Sequence, residues 1–177
     1  VNRMPSTPIP NYAFQNNGDL TFTNAYKEWG FSELSFSNGG AYGDLDNDGD
    51  LDLVISNVNQ PAFLYKNLSE VKNGNHFIQV DLKGKAPNTF AVGSAVHVYV
   101  KGETLRQELI PARGFQSSVD SRLHFGLGSE TRADSMVVYW YNGKTQKLEN
   151  IEAGQLLTLS VEDANKSFTG YLGNKNT

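Results

Sequence analysis

The chain contains no cysteine, which excludes a disulfide framework, a thiolate metal site and a cysteine nucleophile. It also lacks any dense run of lysine or arginine, so binding to a nucleic-acid backbone is not expected. No apolar stretch approaches the roughly 20 residues of a membrane-spanning helix, so the chain is not expected to cross a membrane. The first residues carry no basic-then-apolar signal pattern. Because the chain opens on Val1 rather than Met, it reads as a mature or trimmed fragment, and the missing signal does not argue against export. A helical period is scarce as well: the best candidate is the short stretch Asn24–Trp29, one turn at most.

What is present points to β structure. Of 177 residues, 38% are hydrophobic and 11% aromatic, with 17 glycines. That is enough apolar material for a packed core, and aromatics suit strands as glycines suit turns. The formal net charge is −4, and it is unevenly placed. Five of the 19 acidic residues fall within Asp44–Asp52, and the remainder of the chain is close to neutral. The acidity is therefore local, as a cation site requires.

Short apolar runs are separated by Gly, Asn and Asp along the whole length. Residues 1–10 hold three prolines and read as an extended lead-in. Ala13–Gly18 returns in outline as Phe63–Leu68 about 50 residues later, and repeats of roughly 40–50 residues made of short strands suggest propeller blades. The polar stretch Leu68–Asn75 reads as a turn-rich joint. Beyond it, Ile78, Val80 and Leu82 alternate with polar residues, and Val96, Val98 and Val100 share one face. Lys101-Gly102 reads as a tight turn into Thr104–Ile110. Arg122–Phe125 and Met136–Tyr141 read as further strands. Asn142-Gly143 is a strong hairpin signal, for which a type I′ turn with positive φ at both residues is expected. Lys144–Ile151 and Leu156–Val161 complete a set of about six or seven strands, at a spacing typical of a β-sandwich or related barrel. The expected class is all-β: one propeller-blade-like repeat (residues 11–67), then an antiparallel β-sandwich (residues 75–163), with 1–10 and 164–177 peripheral.

The chemistry concentrates in Asp44-Leu45-Asp46-Asn47-Asp48-Gly49-Asp50-Leu51-Asp52. Aspartates fill every odd position, and Gly49 sits at the sixth. Calcium takes six to eight oxygen ligands at about 2.3–2.6 Å, and odd-numbered side chains of a tightly wound loop can converge on one point. Glycine supplies the backbone angles that such winding needs. Asp44, Asp46, Asp48 and Asp52 are assigned as side-chain ligands, and Asp50 as a ligand through its backbone carbonyl. Magnesium fits less well, since it demands compact octahedral geometry and retains water. An EF-hand is excluded, because its twelfth position would be Ile55 rather than Glu and Leu53-Val54-Ile55 reads as a buried strand. The alternative is a solvated acidic turn, but two unit charges about 5 Å apart repel by about 1 kcal/mol even in water. Five in one loop favour a cation.

Asn16-Asn17-Gly18-Asp19-Leu20-Thr21-Phe22 followed by Gly40–Leu53 resembles an FG-GAP/VCBS-type repeat. That resemblance implies a propeller blade with calcium in the Asp-rich loop. Asn75–Val80, Val92–Val98, Arg122–Gly128, Val137–Gly143 and Gln155–Leu159 resemble the ASPIC/UnbV domain, which commonly follows such repeats. Together the two resemblances cover about residues 11–161. They imply an extracellular, cell-surface or periplasmic setting and a binding or adhesive role, and they supply no catalytic residue set. The chain holds about one blade where such proteins have several. Missing blades or a second copy are therefore expected to cover the exposed strand edges.

Other constellations weigh less. His76, His97 and His124 could form a zinc site only by converging, and structural roles on strands are the simpler reading. Ser117, Ser118 and Asp120 lack the Gly-x-Ser-x-Gly elbow of a hydrolase. Arg113, Phe115 and Arg122 form a candidate ligand patch for a sugar or carboxylate. Trp140 and Tyr141 occupy opposite strand faces, so at most one is exposed with the other in the core. Asn67-Leu68-Ser69 and Asn165-Lys166-Ser167 match the glycosylation acceptor pattern. The leading expectation is a calcium-binding, non-enzymatic surface module with a protein or glycan partner. A carbohydrate-binding accessory domain comes second. A carboxylate-dependent enzyme comes third, since the clustered aspartates leave no second pair of acids with separated pKa values.

Overall fold

The computed structural model describes residues 6–167 and is almost entirely β. The expected peripheral ends therefore lie partly outside the described residues. Two compact units are present. The first comprises the described residues up to Tyr42 together with Asp52–Lys66, and the second comprises Gly43–Leu51 together with the described residues from Asn67 onward.

The first unit is built of small sheets. Strands β1 (Ile9–Pro10) and β4 (Leu34–Ser35) pair, as do β2 (Phe14–Asn16) and β3 (Phe22–Asn24). Strands β5 (Ser37–Gly43), β6 (Asp52–Asn57) and β7 (Phe63–Tyr65) form a three-stranded sheet in that order. Asn24–Trp29 makes a single turn after β3, closed by the Trp29 N–H donating to the Ala25 carbonyl at 2.9 Å. Among the described residues of this unit, Ala25 and Ile55 are its buried hydrophobics. Phe14, Phe22 and Leu20 are exposed.

The second unit holds helix α1 (Ser69–Asn73), then β8 (His76–Lys83), β9 (Ala95–Val100), β10 (Glu103–Glu108), β11 (Leu123–Gly128), β12 (Arg132–Tyr139), β13 (Lys144–Glu152), β14 (Gln155–Ser160) and β15 (Lys166–Ser167). A five-stranded antiparallel sheet runs β10-β9-β12-β13-β15, and a three-stranded sheet runs β11-β8-β14. β8 pairs with β11 antiparallel and with β14 parallel. Among the described residues no closed barrel forms. Both sheets contribute to one apolar cluster, with Ile78, Val80 and Leu82 from β8, Val96 and Val98 from β9, Phe125 from β11, and Met136 and Val138 from β12. Each such side chain, fully buried, stabilises the fold by about 1.5–3 kcal/mol. The alternation along β8 and β9 thus has the orientation that the sequence predicts.

Two local features differ from expectation. The 142–143 hairpin is present, but only Gly143 is left-handed, at φ 79°. The Gly143 N–H donates to the Trp140 carbonyl and the Trp140 N–H to the Lys144 carbonyl, so the loop has three residues and ends in a glycine bulge. The Asn142 side chain sets this geometry by accepting from the Lys144 N–H at 3.1 Å. In the joint, Ser69–Asn73 forms one helical turn that no sequence period could announce, and it ends at left-handed Gly74. The Ser69 N–H that opens the turn is shared between the neighbouring Asn67 Oδ1 and the distant Asp50 Oδ2, each at 3.1 Å.

Candidate metal centre

The outer face of the three-stranded sheet carries the Asp-rich loop. On β8, strand alternation turns Ile78 and Val80 into the core and sends Phe77 and Gln79 to the opposite face. Gln79 lies opposite His124 of β11 in register, and Phe77 stacks on His124 with ring centroids 5.7 Å apart and planes 15° apart. Loop residues Gly43–Leu51 belong to this same unit. Gly49 packs against the Phe77 ring so closely that a Cβ there would fall within it, and its φ of +96° is one that L side chains rarely adopt. Asn47, at φ 60°, is the loop's second left-handed residue.

Asp44, Asp46 and Asp48 each offer a carboxylate oxygen, and these oxygens lie within 4.8 Å of one another. Asp44 is only 7% exposed, whereas Asp46 is exposed and Asp48 half-buried. Asp44 Oδ2 accepts from Gln79 Nε2 at 2.6 Å, while its Oδ1 is buried without a hydrogen-bond partner. A buried, ionised oxygen is costly unless a positive group or donor meets it, so a cation fits the donor set. Hard carboxylate oxygens suit calcium or a similar ion.

Arg122 completes the surroundings. Its Nε donates to Asp120 Oδ2 at 2.5 Å, its Nη1 to Asn47 Oδ1 at 3.1 Å and its Nη2 to the Asp44 carbonyl at 3.5 Å. Burial holds the His124 imidazole below its usual pKa; Asp44 pulls it upward and Arg122 presses it down. A cleft of about 210 Å³ lies beside the loop, lined in part by Gly49, Asp50, Ser69, His76, Phe77 and His124.

The Asp50 carboxylate accepts from the Ser69 N–H and hydroxyl, so it serves helix α1. Asp52 opens β6 in the first unit and is buried there. Arg113 donates to the carbonyls of Ile110 and Ala112, Phe115 is 88% exposed, and Arg122 is engaged by the Asp loop. His97 packs on Tyr139 at 4.7 Å, and among the described residues no histidine joins a metal-type cluster. Trp140 is buried and Tyr141 is half-exposed, with its hydroxyl against the Lys85 N–H at 3.1 Å. The sequence did not single out Gln79. A polar residue at an alternating position reads as solvent-facing, and no local signal shows that a loop 35 residues upstream covers it.

Residues 84–166 match the ASPIC and UnbV family model. The matched segment runs from β9 to β15 and includes Arg122 and His124, while β8 and the Asp loop precede it. The chain is also similar to cartilage acidic protein 1 of Xenopus tropicalis, at 30% identity over 137 residues. The match covers 74% of this chain and 21% of that protein, so the chain spans about a fifth of the relative's length. Among the described residues, no helix is long and apolar enough to cross a membrane.

Proposed function

We propose that the chain is a calcium-binding module of an exported or cell-surface protein, acting by binding or adhesion rather than catalysis. The observation that carries this reading is the Asp44–Asp46–Asp48 cluster with the buried, unpartnered Oδ1 of Asp44. Asp44, Asp46 and Asp48 would hold the ion through their side chains, and it would neutralise a loop that otherwise repels itself. Its role is structural. The β5–β7 sheet and its loop are read as an FG-GAP/VCBS-type blade, and the two sheets of the second unit as a β-sandwich. The similarity to cartilage acidic protein 1 supports the exported setting. The test is thermal melting of the chain with calcium and with chelator, alongside elemental analysis. Calcium is expected to raise the melting temperature, by a free energy that grows as RT ln(1 + [L]/Kd). An unchanged melt with no bound calcium would sink the reading.

A carbohydrate-binding role is the second reading, favoured by exposed aromatics in the first unit. Tyr12 and Phe14 stack with centroids 6.3 Å apart, and Phe22 and Trp29 are also exposed. Stacked, solvent-facing rings suit the apolar face of a sugar. A glycan array on which the chain binds nothing would remove it.

A further inference from the structure

We infer that Gln79 is the positioning residue of the cation site, so that the ion's affinity is set by a strand of the second unit and not by the Asp loop alone. The inference rests on reading the loop as a cation site. A carboxylate can only accept hydrogen bonds, so the 2.6 Å contact to Asp44 Oδ2 requires Gln79 to present its NH2 group. That bond occupies one carboxylate oxygen and fixes the rotation of the group. It leaves Oδ1 as the oxygen available to an ion, in a cluster whose carboxylates approach within 4.8 Å.

Gln79 is itself held rigidly. It lies mid-strand in β8, between His124 of β11 and Leu156 of β14 in register, and is 5% exposed. The flanking Ile78 and Val80 are fully buried in the core, so the backbone that carries the amide cannot drift. A ligand carboxylate anchored to a sheet is better preorganised than one anchored to its own loop. Partners that orient a metal ligand typically change affinity or activity by about 10–100-fold when removed. Gly49 against Phe77 and Arg122 on the Asp44 carbonyl fix the loop backbone on the same face. An ion bound there would stabilise the second unit through Gln79.

The experiment is a calcium titration by calorimetry on the full chain, comparing wild type, Gln79→Met and Asp81→Asn. Methionine keeps the length and bulk of glutamine and removes the donor. Asp81 lies on the same strand, where it pairs with Lys83 at 2.6 Å, and its replacement controls for a polar change on β8 away from the loop. Gln79→Met is expected to weaken calcium by about 10–100-fold, with Asp81→Asn within about twofold of wild type. A purely structural hydrogen bond would lower the chelator melt and leave the affinity unchanged, and that outcome overturns the inference while sparing the cation reading. No binding by wild type overturns both. Should Gln79→Met not fold, the side-chain amide resonance of Gln79 in the labelled wild-type chain decides. A shift on calcium saturation supports the role, and an unmoved resonance in a calcium-bound chain overturns it.

Discussion

At the residue scale, Gly49 is bound by two independent constraints. Its φ of +96° strains any residue with a Cβ, and the Phe77 ring fills the space a Cβ would need. Backbone strain of this kind costs about 1–3 kcal/mol, and displacing an aromatic ring from its stack on His124 adds to it. Gly49→Ala is expected to lower the urea midpoint of the second unit and to weaken calcium as well, since the loop cannot keep its winding. Equal midpoints for Gly49→Ala and wild type would show that the loop is not packed as described. His97 supplies a pH term elsewhere in the same unit. Burial, with Arg106 opposite it, depresses its pKa below 6.5. The unfolded chain therefore binds more protons in the window just below 6.5, and stability rises with pH there. The contribution is fully present above 6.5 and is lost as pH falls through the folded-state value. His97→Gln is expected to flatten part of this acid slope, read as urea midpoints at about pH 7.5, 6.0 and 5.0. An identical slope in the variant would count against burial of the neutral ring. His124 is depressed in the same direction and is common to both proteins, so it cancels in the difference.

At the scale of elements, legibility followed the range of the forces involved. The strands β8 and β9 are readable because one face meets a core, and a core imposes period-two alternation on the sequence; β12 is readable only as the apolar and aromatic run from Met136 onward. The Lys101-Gly102 turn was readable because two left-handed residues, at φ 52° and 81°, leave a local signature. The 142–143 hairpin was readable as a hairpin but not as a turn type. Asn142 can either adopt positive φ or bond to the backbone two residues on, and here it does the latter. Helix α1 is not readable, because a single turn has no period and one of the two side chains that meet its first N–H is an aspartate 19 residues away. The site divides in the same way. The aspartate spacing is legible locally, and three of its five carboxylates, those of Asp44, Asp46 and Asp48, come together, whereas Gln79, Phe77 and the loop-facing role of Arg122 depend on a long-range docking that the sequence does not display. Arg122 stands out in the sequence as a charge in a patch with Arg113 and Phe115, yet its partners are Asp120, Asn47 and the Asp44 carbonyl.

At the scale of the whole molecule, the two units differ in how much apolar surface they remove from water. The second contributes a continuous core shared by two sheets, including the fully buried Phe125, Met136, Val96 and Val138. Among the described residues, the first buries Ala25 and Ile55 and leaves Tyr12, Phe14, Phe22 and Trp29 exposed. Its sheets of two and three short strands lie at the lower limit of independent stability. Opening free energies follow buried contacts, from near zero in sparsely packed segments to the global value in a core. Amides of β8, β9 and β12 are therefore expected to exchange with solvent only through global unfolding of their unit, and those of β2, β3 and β7 through local opening orders of magnitude sooner. Hydrogen exchange followed by mass spectrometry checks this peptide by peptide. Added calcium is expected to sharpen the contrast, because an ion held by Asp44, Asp46 and Asp48 would lie within the second unit and slow exchange in Gly43–Leu51 and β8 while leaving β2 and β3 unchanged. Protection of β2 and β3 to the level of β9 without added ligand would mean that the first unit carries stability its buried residues do not account for. The apolar face of Tyr12, Phe14 and Phe22 would then have to be covered in solution.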